Sequence, residues 1–373
     1  MAVKYDNEIE ALLNAAEQHH QCLARPKDKH LMRALAYRSN HAKPRLLFSP
    51  HCGVYVRRSY WKGLSRRDQV LHIARAIAQL HPKWIFDSYT AAAIRGWNVS
   101  YGLLDKLNIL APYQIQAKSI ISRSAKHPAF ETVNGLRVST VPQTLHHCLR
   151  AEDLRISLPI ADSALRETGK SKGELIELVK ADPTTARSRD FQRTIDVLSL
   201  ADSRSESGGE SIARATMIML GFATPDLQVE CRDPMNPSKV IRVDFYWVLD
   251  DGTVIIGELD GKQKYIDPTM TKGKDLIEVL RNERLRESRL SVLGARIVRF
   301  SYSDVLDTVY FARLLERYGV SRNTSGPFVS RTMILPPVRT DSDDVPPLEC
   351  YADLIAPYAV SYTHLTLPTN REV

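Results

Sequence analysis

The chain is poor in the residues that build covalent or metal cross-links. Its five cysteines, Cys22, Cys52, Cys148, Cys231 and Cys350, are odd in number, widely spaced and without a Cys-x-x-Cys pair. That pattern argues against a zinc site or a disulfide framework and points to a reducing cytoplasm. No apolar run approaches the ~18 residues of a membrane span, and the first thirteen residues lack the basic and apolar regions of a signal peptide. A cytoplasmic protein without a membrane partner or a small-molecule cofactor is therefore expected. The histidines are no richer in chemistry: His127 stands apart, while His146 and His147 are adjacent and face different ways on a helix.

What is present is length and an uneven charge. A chain of 373 residues exceeds what one core usually serves, so two or three domains are expected, and 43% hydrophobic with 25% charged residues is ordinary for globular protein. Residues 1–200 carry 30 Lys and Arg against 18 Asp and Glu, a net +12 within a total of +8. Residues 201–320 carry 17 against 19 and residues 321–373 carry 4 against 6, so the basic excess is N-terminal. Either a polyanion partner such as DNA is held by the front of the molecule, or these side chains form solvated helix faces.

The most informative stretch is residues 239–264, KVIRVDFYWVLDDGTVIIGELDGKQK, where two runs rich in Val, Ile, Phe, Tyr and Trp flank Asp250-Asp251-Gly252. This is a hairpin signal. A three-residue loop closed by a left-handed Gly pairs Leu249 with Thr253, and counting outward sets Asp244 opposite Glu258 and Arg242 opposite Asp260. Opposed residues share a face with Cβ atoms roughly 4.5–5.5 Å apart. Two carboxylates that close repel, and a bound cation is the natural reason to keep them. A two-residue loop at Asp251-Gly252 would instead set Asp244 against Leu259.

Elsewhere the patterns are helical with short strands. Residues 6–20 place Ile9, Leu12, Leu13 and Ala16 on one face, and a second helix starts near Pro26 with Leu31, Met32 and Leu35 inward and Arg33 and Arg38 outward. Two short strands around a turn at residues 50–53, ending in Arg57 and Arg58, complete a winged-helix-like pattern, with a helical interaction module as the alternative. Residues 61–200 read as mixed α/β, with strands near 107–110 and 135–141. The Ser/Gly cluster in residues 197–211 marks a domain boundary. After it, Ser207 and Glu210 have capping-box spacing at the start of a helix, which does not preclude Glu210 from facing a metal. A helix over residues 275–293, with Arg281, Arg284, Arg286 and Arg289 largely outward, a strand over 295–300 and a final helix follow.

Two resemblances follow from these landmarks. Cys52-Gly-Val-Tyr-Val56, Ser88-Tyr-Thr-Ala-Ala-Ala-Ile-Arg-Gly96, Val141-Pro-Gln-Thr-Leu145 and Ala161-Asp-Ser-Ala-Leu-Arg166 resemble the AbiEi-type regulators and antitoxins of abortive phage infection over about residues 1–200. Ser207-Gly-Gly-Glu210, Gly221, Pro225, Gln228, Arg242-Val-Asp-Phe245, Gly257-Glu-Leu-Asp-Gly261 with Lys264-Tyr265, Arg289-Leu290 and Val298-Arg-Phe300 resemble the PD-(D/E)XK nuclease superfamily, in the branch similar to very-short-patch-repair endonucleases. The second resemblance implies metal-dependent cleavage of a phosphodiester, with Asp244 and Glu258 coordinating Mg²⁺ or Mn²⁺, Glu210 supporting, and a basic residue stabilising the transition state. The superfamily's Glu-x-Lys is absent, because Asp260 stands two residues after Glu258. Lys262 and Lys264 are the candidates for the lysine, with Lys264 preferred, and Asp260 is either a further ligand or the partner of Arg242.

The fold class expected is a multidomain α/β and α+β protein. It comprises a winged-helix-like DNA-binding module at 1–60, an AbiEi-like mixed α/β middle at 61–200, a PD-(D/E)XK-type α/β nuclease core at 201–320 and a poorly ordered extension at 321–360. Residues 361–373, SYTHLTLPTNREV, look like a non-native, adapter-derived tail. The function implied is a Mg-dependent DNA endonuclease with a regulatory front, in phage defence or toxin–antitoxin biology, with a toxin or regulatory protein as a further partner. The alternative is a DNA-binding transcriptional regulator or antitoxin whose nuclease-like domain is inactive.

Overall fold

The computed structural model describes residues 5–41, 44, 46–260, 285–286, 288–292, 294–322, 325–330, 332 and 335–336. Among these, the residues up to Thr90 with Tyr101–Val138 form one compact unit, and Ala91–Ser100 with the residues from Ser139 onward form another. Helices and three sheets make the chain a mixed α/β, multidomain protein. No helix among the described residues is long and apolar enough to cross a membrane.

The first unit begins with α1 (Asp6–Gln18), whose Ile9, Leu13 and Ala16 recur at helical spacing and are buried. After β1 (Leu23–Ala24), Asp28 caps α2 (Lys29–Asn40), its Oδ1 accepting from the N–H groups of His30 at 2.9 Å and Leu31 at 2.8 Å. The cap starts the helix after Pro26. Leu31 and Leu35 pack on α1 with Leu47 and Tyr55 of the hairpin β2 (Leu47–His51) and β3 (Val54–Arg57), and the sheet order is β1-β3-β2. Next come α3 (Arg58–Lys62) and the Ser65-capped α4 (Arg66–Leu80). A six-stranded sheet follows, with β4 (Ile85–Phe86), β5 (Leu107–Ala111), β6 (Gln116–Ala117), β7 (Ile120–Ser124), β8 (Phe130–Val133) and β9 (Leu136–Ser139) in the order β6-β7-β5-β4-β9-β8. Helix α5 (Ser88–Arg95) follows β4. Sequence patterning finds only β5 and β9 here, because the other strands are two to five residues long and lack an alternating apolar face.

The second unit starts with α6 (Val141–Leu149), α7 (Leu154–Thr168), α8 (Lys172–Ala181), α9 (Pro183–Ala186) and α10 (Phe191–Leu200). The Ser/Gly cluster does not divide this unit. Across it, Arg214 of α11 (Gly208–Met219) places Nη2 2.6 Å from Asp162 Oδ1 of α7 in a buried ion pair, and its Nη1 donates to the Leu200 carbonyl at 2.8 Å. Asp202 N–H donates to the same Asp162 oxygen at 2.8 Å, so the intervening segment is fastened to both helices.

Helix α11 covers a four-stranded sheet, β10 (Asp226–Asp233), β11 (Asn236–Val248), β12 (Val254–Asp260) and β13 (Arg296–Ser301), in that spatial order. The first three are antiparallel and β13 runs parallel to β12, a pairing that needs a crossover. Helices α12 (Tyr302–Leu306) and α13 (Thr308–Tyr318) close the unit. One core joins Ile212 and Met217 of α11 to Phe245, Trp247, Ile255, Val298 and Phe300 of the sheet and Phe311 and Leu315 of α13. On the other face, Ile241, Val243 and Ile256 meet Leu290 of the helical residues 288–291.

The ion pair between α7 and α11 yields a stability prediction. Arg214→Leu leaves Asp162 buried without its cation and should lower the unfolding free energy by about 3–5 kcal/mol. The double variant Asp162→Leu/Arg214→Leu removes both charges and should lose less. Urea titrations that find the single variant within about 1 kcal/mol of the parent would contradict this account.

Candidate functional site

The loop chemistry fixes the site. Leu249 N–H donates to the Thr253 carbonyl at 2.9 Å, Gly252 N–H to the Leu249 carbonyl at 2.9 Å, and Gly252 has φ 81°, the left-handed geometry a three-residue loop requires. Beyond it, Val248 pairs with Val254, Trp247 with Ile255, Tyr246 with Ile256 and Phe245 with Gly257. This is the register expected from Asp250-Asp251-Gly252. Regular pairing ends at Phe245 and Gly257, one step before Asp244 and Glu258. There Asp244 Oδ2 accepts the Leu259 N–H at 3.0 Å, so the carboxylate occupies a ladder donor and is held against β12.

The same level of the sheet is a point of roll. Phe245 and Trp247 lie in the larger core, yet Ile241 and Val243, which strict alternation would put on the same face, lie in the smaller one. On β10, Leu227 and Val229 divide in the same way. Gln228, between them, has φ 51°, a left-handed backbone uncommon for a residue with a side chain. Its Nε2 lies 3.1 Å from Glu210 Oε2 and 3.4 Å from Asp244 Oδ1, so the amide bridges the two acids.

Glu210 serves its helix and the site together. Ser207 Oγ accepts from Glu210 N–H at 3.1 Å and donates to Glu210 Oε1 at 2.8 Å, while Oε2 takes the Glu206 N–H at 2.9 Å. Burial, with the charge of Asp244 adding to it, pushes the Glu210 carboxyl above the usual range, against the lowering effect of these hydrogen bonds. Gly209 allows the approach: a Cβ there would come within 3.1 Å of Leu259, the residue whose N–H holds Asp244.

Asp244, Glu258 and Gln228 line one cavity of about 520 Å³, together with Arg242, Arg286 and Arg289. Each arginine is matched to a separate acid. Arg286 Nη2 donates to Glu258 Oε1 at 2.9 Å, Arg289 Nη1 to Asp233 Oδ2 at 2.7 Å, and Arg242 Nη2 lies 2.8 Å from Glu206 Oε1. Asp244 has no Lys or Arg partner among the described residues.

Several expected partnerships differ. Asp260 pairs with neither the cavity nor Arg242: Arg299 of β13 holds it, Nε reaching both carboxylate oxygens at 3.2 Å and Nη2 also donating. Regular β11–β12 pairing stops before Arg242 and Asp260, and the parallel neighbour β13 supplies the cation, while Arg242 pairs with Glu206. Lys262 and Lys264 lie outside the described residues. Sequence reasoning turned Arg286 outward, whereas it faces Glu258, and gave Gln228 no role. At the β2–β3 hairpin, Arg57 turns back to Glu10 at 2.6 Å and Glu17 at 2.7 Å of α1, and Arg58 lies over the Phe48 ring at 5.2 Å. The hairpin turn falls at Cys52 and Gly53, within the expected residues 50–53. His146 is a buried core residue, its Nδ1 2.9 Å from Thr194 Oγ1.

No group of three His, Cys, Asp or Glu side chains placed to hold a metal ion is found among the described residues. Two carboxylates on one cavity wall nonetheless fit a hard divalent cation of the Mg²⁺ kind, which keeps several waters and takes only one or two protein carboxylates. Glu210 reaches Asp244 through Gln228.

The raised Glu210 carboxyl has a consequence for pH. The folded chain holds that proton more tightly than the unfolded one, so its contribution to stability is full below the unfolded carboxylate range and is lost as pH rises through the raised value. Glu210→Gln removes this dependence. The stability of the variant relative to the parent should improve between about pH 4 and about pH 7 in urea titrations, and an offset that does not change with pH would contradict it.

Comparison with protein-family models, with curated proteins and with solved structures gives no match.

Proposed function

We propose that the chain hydrolyses phosphodiester bonds in DNA, using a divalent cation at Asp244 and Glu258. The observation that carries this reading is the placement of these two acids one step beyond the last β11–β12 pair, Phe245 with Gly257, on one cavity with three arginines. Mg²⁺ or Mn²⁺ bound there would polarise the scissile phosphate and lower the pKa of a bound water. Asp244, fixed by the Leu259 N–H and the Gln228 amide, needs no rearrangement to present its oxygen donors. Glu210 acts at one remove, positioning Asp244 through Gln228. In this reading the nuclease-like core lies in the sheet of the second unit. A winged-helix-like DNA-binding module lies at the N-terminus, supported by two helices and the β1-β3-β2 sheet.

A second reading, a DNA-binding regulator or antitoxin with an inactive nuclease-like domain, is favoured by two ion pairs. Arg286 already neutralises Glu258, and Arg299 already holds Asp260.

Incubation of plasmid, linear and single-stranded DNA with Mg²⁺ or Mn²⁺ separates the two. Wild type should cleave at least one substrate, and Asp244→Ala and Glu258→Ala should each lower the rate by about 10²-fold or more. Undiminished activity in both variants removes the site. Absence of cleavage by wild type on every substrate gives the second reading precedence.

A further inference from the structure

We propose that Arg286 is the catalytic cation of this site, filling the place that the nuclease resemblance assigns to a lysine; the inference rests on the nuclease reading. Two residues after Glu258, where that lysine would stand, the chain has Asp260, and Arg299 holds its carboxylate. Lys262 and Lys264 lie outside the described residues, and among those described the cation at Glu258 comes from the helical residues 285–286. Arg286 lines the cavity and places Nη2 2.9 Å from Glu258 Oε1, and the same nitrogen donates to the Arg242 carbonyl of β11.

Those two bonds engage one nitrogen of a group with five N–H donors. Arg286 Nε is buried and has no hydrogen-bond partner among the described residues. That nitrogen is occluded, but the side chain as a whole is 37% exposed and lines the cavity, which leaves Nη1 to meet an acceptor that enters it. A phosphate oxygen fits that place, because a guanidinium presents parallel donors matched to an oxyanion. Glu258 orients the group from one side, which leaves its remaining donors for the substrate.

The reaction consumes one water. Its oxygen bonds to phosphorus and gives up a proton to solvent, the P–O ester bond breaks and the departing alkoxide takes a proton from solvent, giving one phosphate monoester end and one hydroxyl end. Arg286 stays protonated throughout, so it donates hydrogen bonds to the oxygens on which negative charge grows and does not act as a base.

Arg286→Ala, Arg286→Gln and Arg286→Lys test the assignment by three readouts. The proposal expects Arg286→Ala and Arg286→Gln to lower kcat about 10²–10³-fold, with Arg286→Lys recovering part of the loss. In EDTA, binding of a short DNA duplex to both neutral variants should weaken several-fold. Mn²⁺ affinity should be unchanged or tighter, since the guanidinium no longer competes for Glu258. A mere counter-ion for Glu258 gives the same Mn²⁺ affinities but leaves kcat at saturating Mn²⁺ and duplex binding both unaltered. That result overturns the proposal. If Arg286→Ala fails to fold, the same comparisons on Arg286→Gln decide. If wild type cleaves nothing, the nuclease reading falls while metal-free duplex binding still tests the phosphate contact. Equal duplex affinity in wild type and Arg286→Gln then overturns that contact as well.

Discussion

The pairing of Leu249 with Thr253 across a three-residue loop decides where every later residue of β12 falls, and the rest of the site inherits that choice. A slip of one residue would turn Glu258 away from Asp244 and drive Ile255 and Ile256 onto the wrong faces of a sheet that is packed on both sides. Gly252 makes the register accessible because its left-handed φ costs a residue without Cβ nothing. Gly257 protects it from the other end. A Cβ there would come within 3.0 Å of Trp247 and 3.1 Å of Phe245, so the bare backbone is what lets β12 lie against the large rings of β11 just before Glu258.

Electrostatics explains why the cavity has its composition. Two carboxylates about 5 Å apart at an effective dielectric of about 20 repel by roughly 3 kcal/mol, several times what an exposed ion pair returns. Arg286 offsets part of that at Glu258, while hydrogen bonds rather than a cation hold Asp244. One acid is thus matched by an arginine, and the other is held by an amide and a backbone N–H. That balance suits a site that must accept a cation and an anionic strand together.

The sequence made the short-range parts of this legible. Asp250-Asp251-Gly252 between two β-rich runs specified the loop and through it the β11–β12 register as far as Phe245 and Gly257, and the spacing of Ser207 and Glu210 located a helix start. Illegible parts depend on neighbours distant in the chain. Arg299 reaches Asp260 because β13 is parallel to β12, and no local pattern encodes that adjacency. Arg286 meets Glu258 and Leu290 packs against the smaller core, where periodicity alone suggests an outward arginine. The roll of the sheet at Gln228 escaped notice because a left-handed glutamine carries no compositional mark. Asp162 and Arg214 bind two helices across a Ser/Gly segment that reads locally as a linker.

The central claim is that Asp244 and Glu258 form one cation site, and direct titration of Mn²⁺ into the metal-free chain, followed by electron paramagnetic resonance, tests it without requiring turnover. The account predicts saturable binding in wild type that weakens at least about tenfold in Asp244→Asn and in Glu258→Gln, with both variants folded. Saturable binding of equal affinity in all three proteins, or none in wild type at millimolar Mn²⁺, would contradict it.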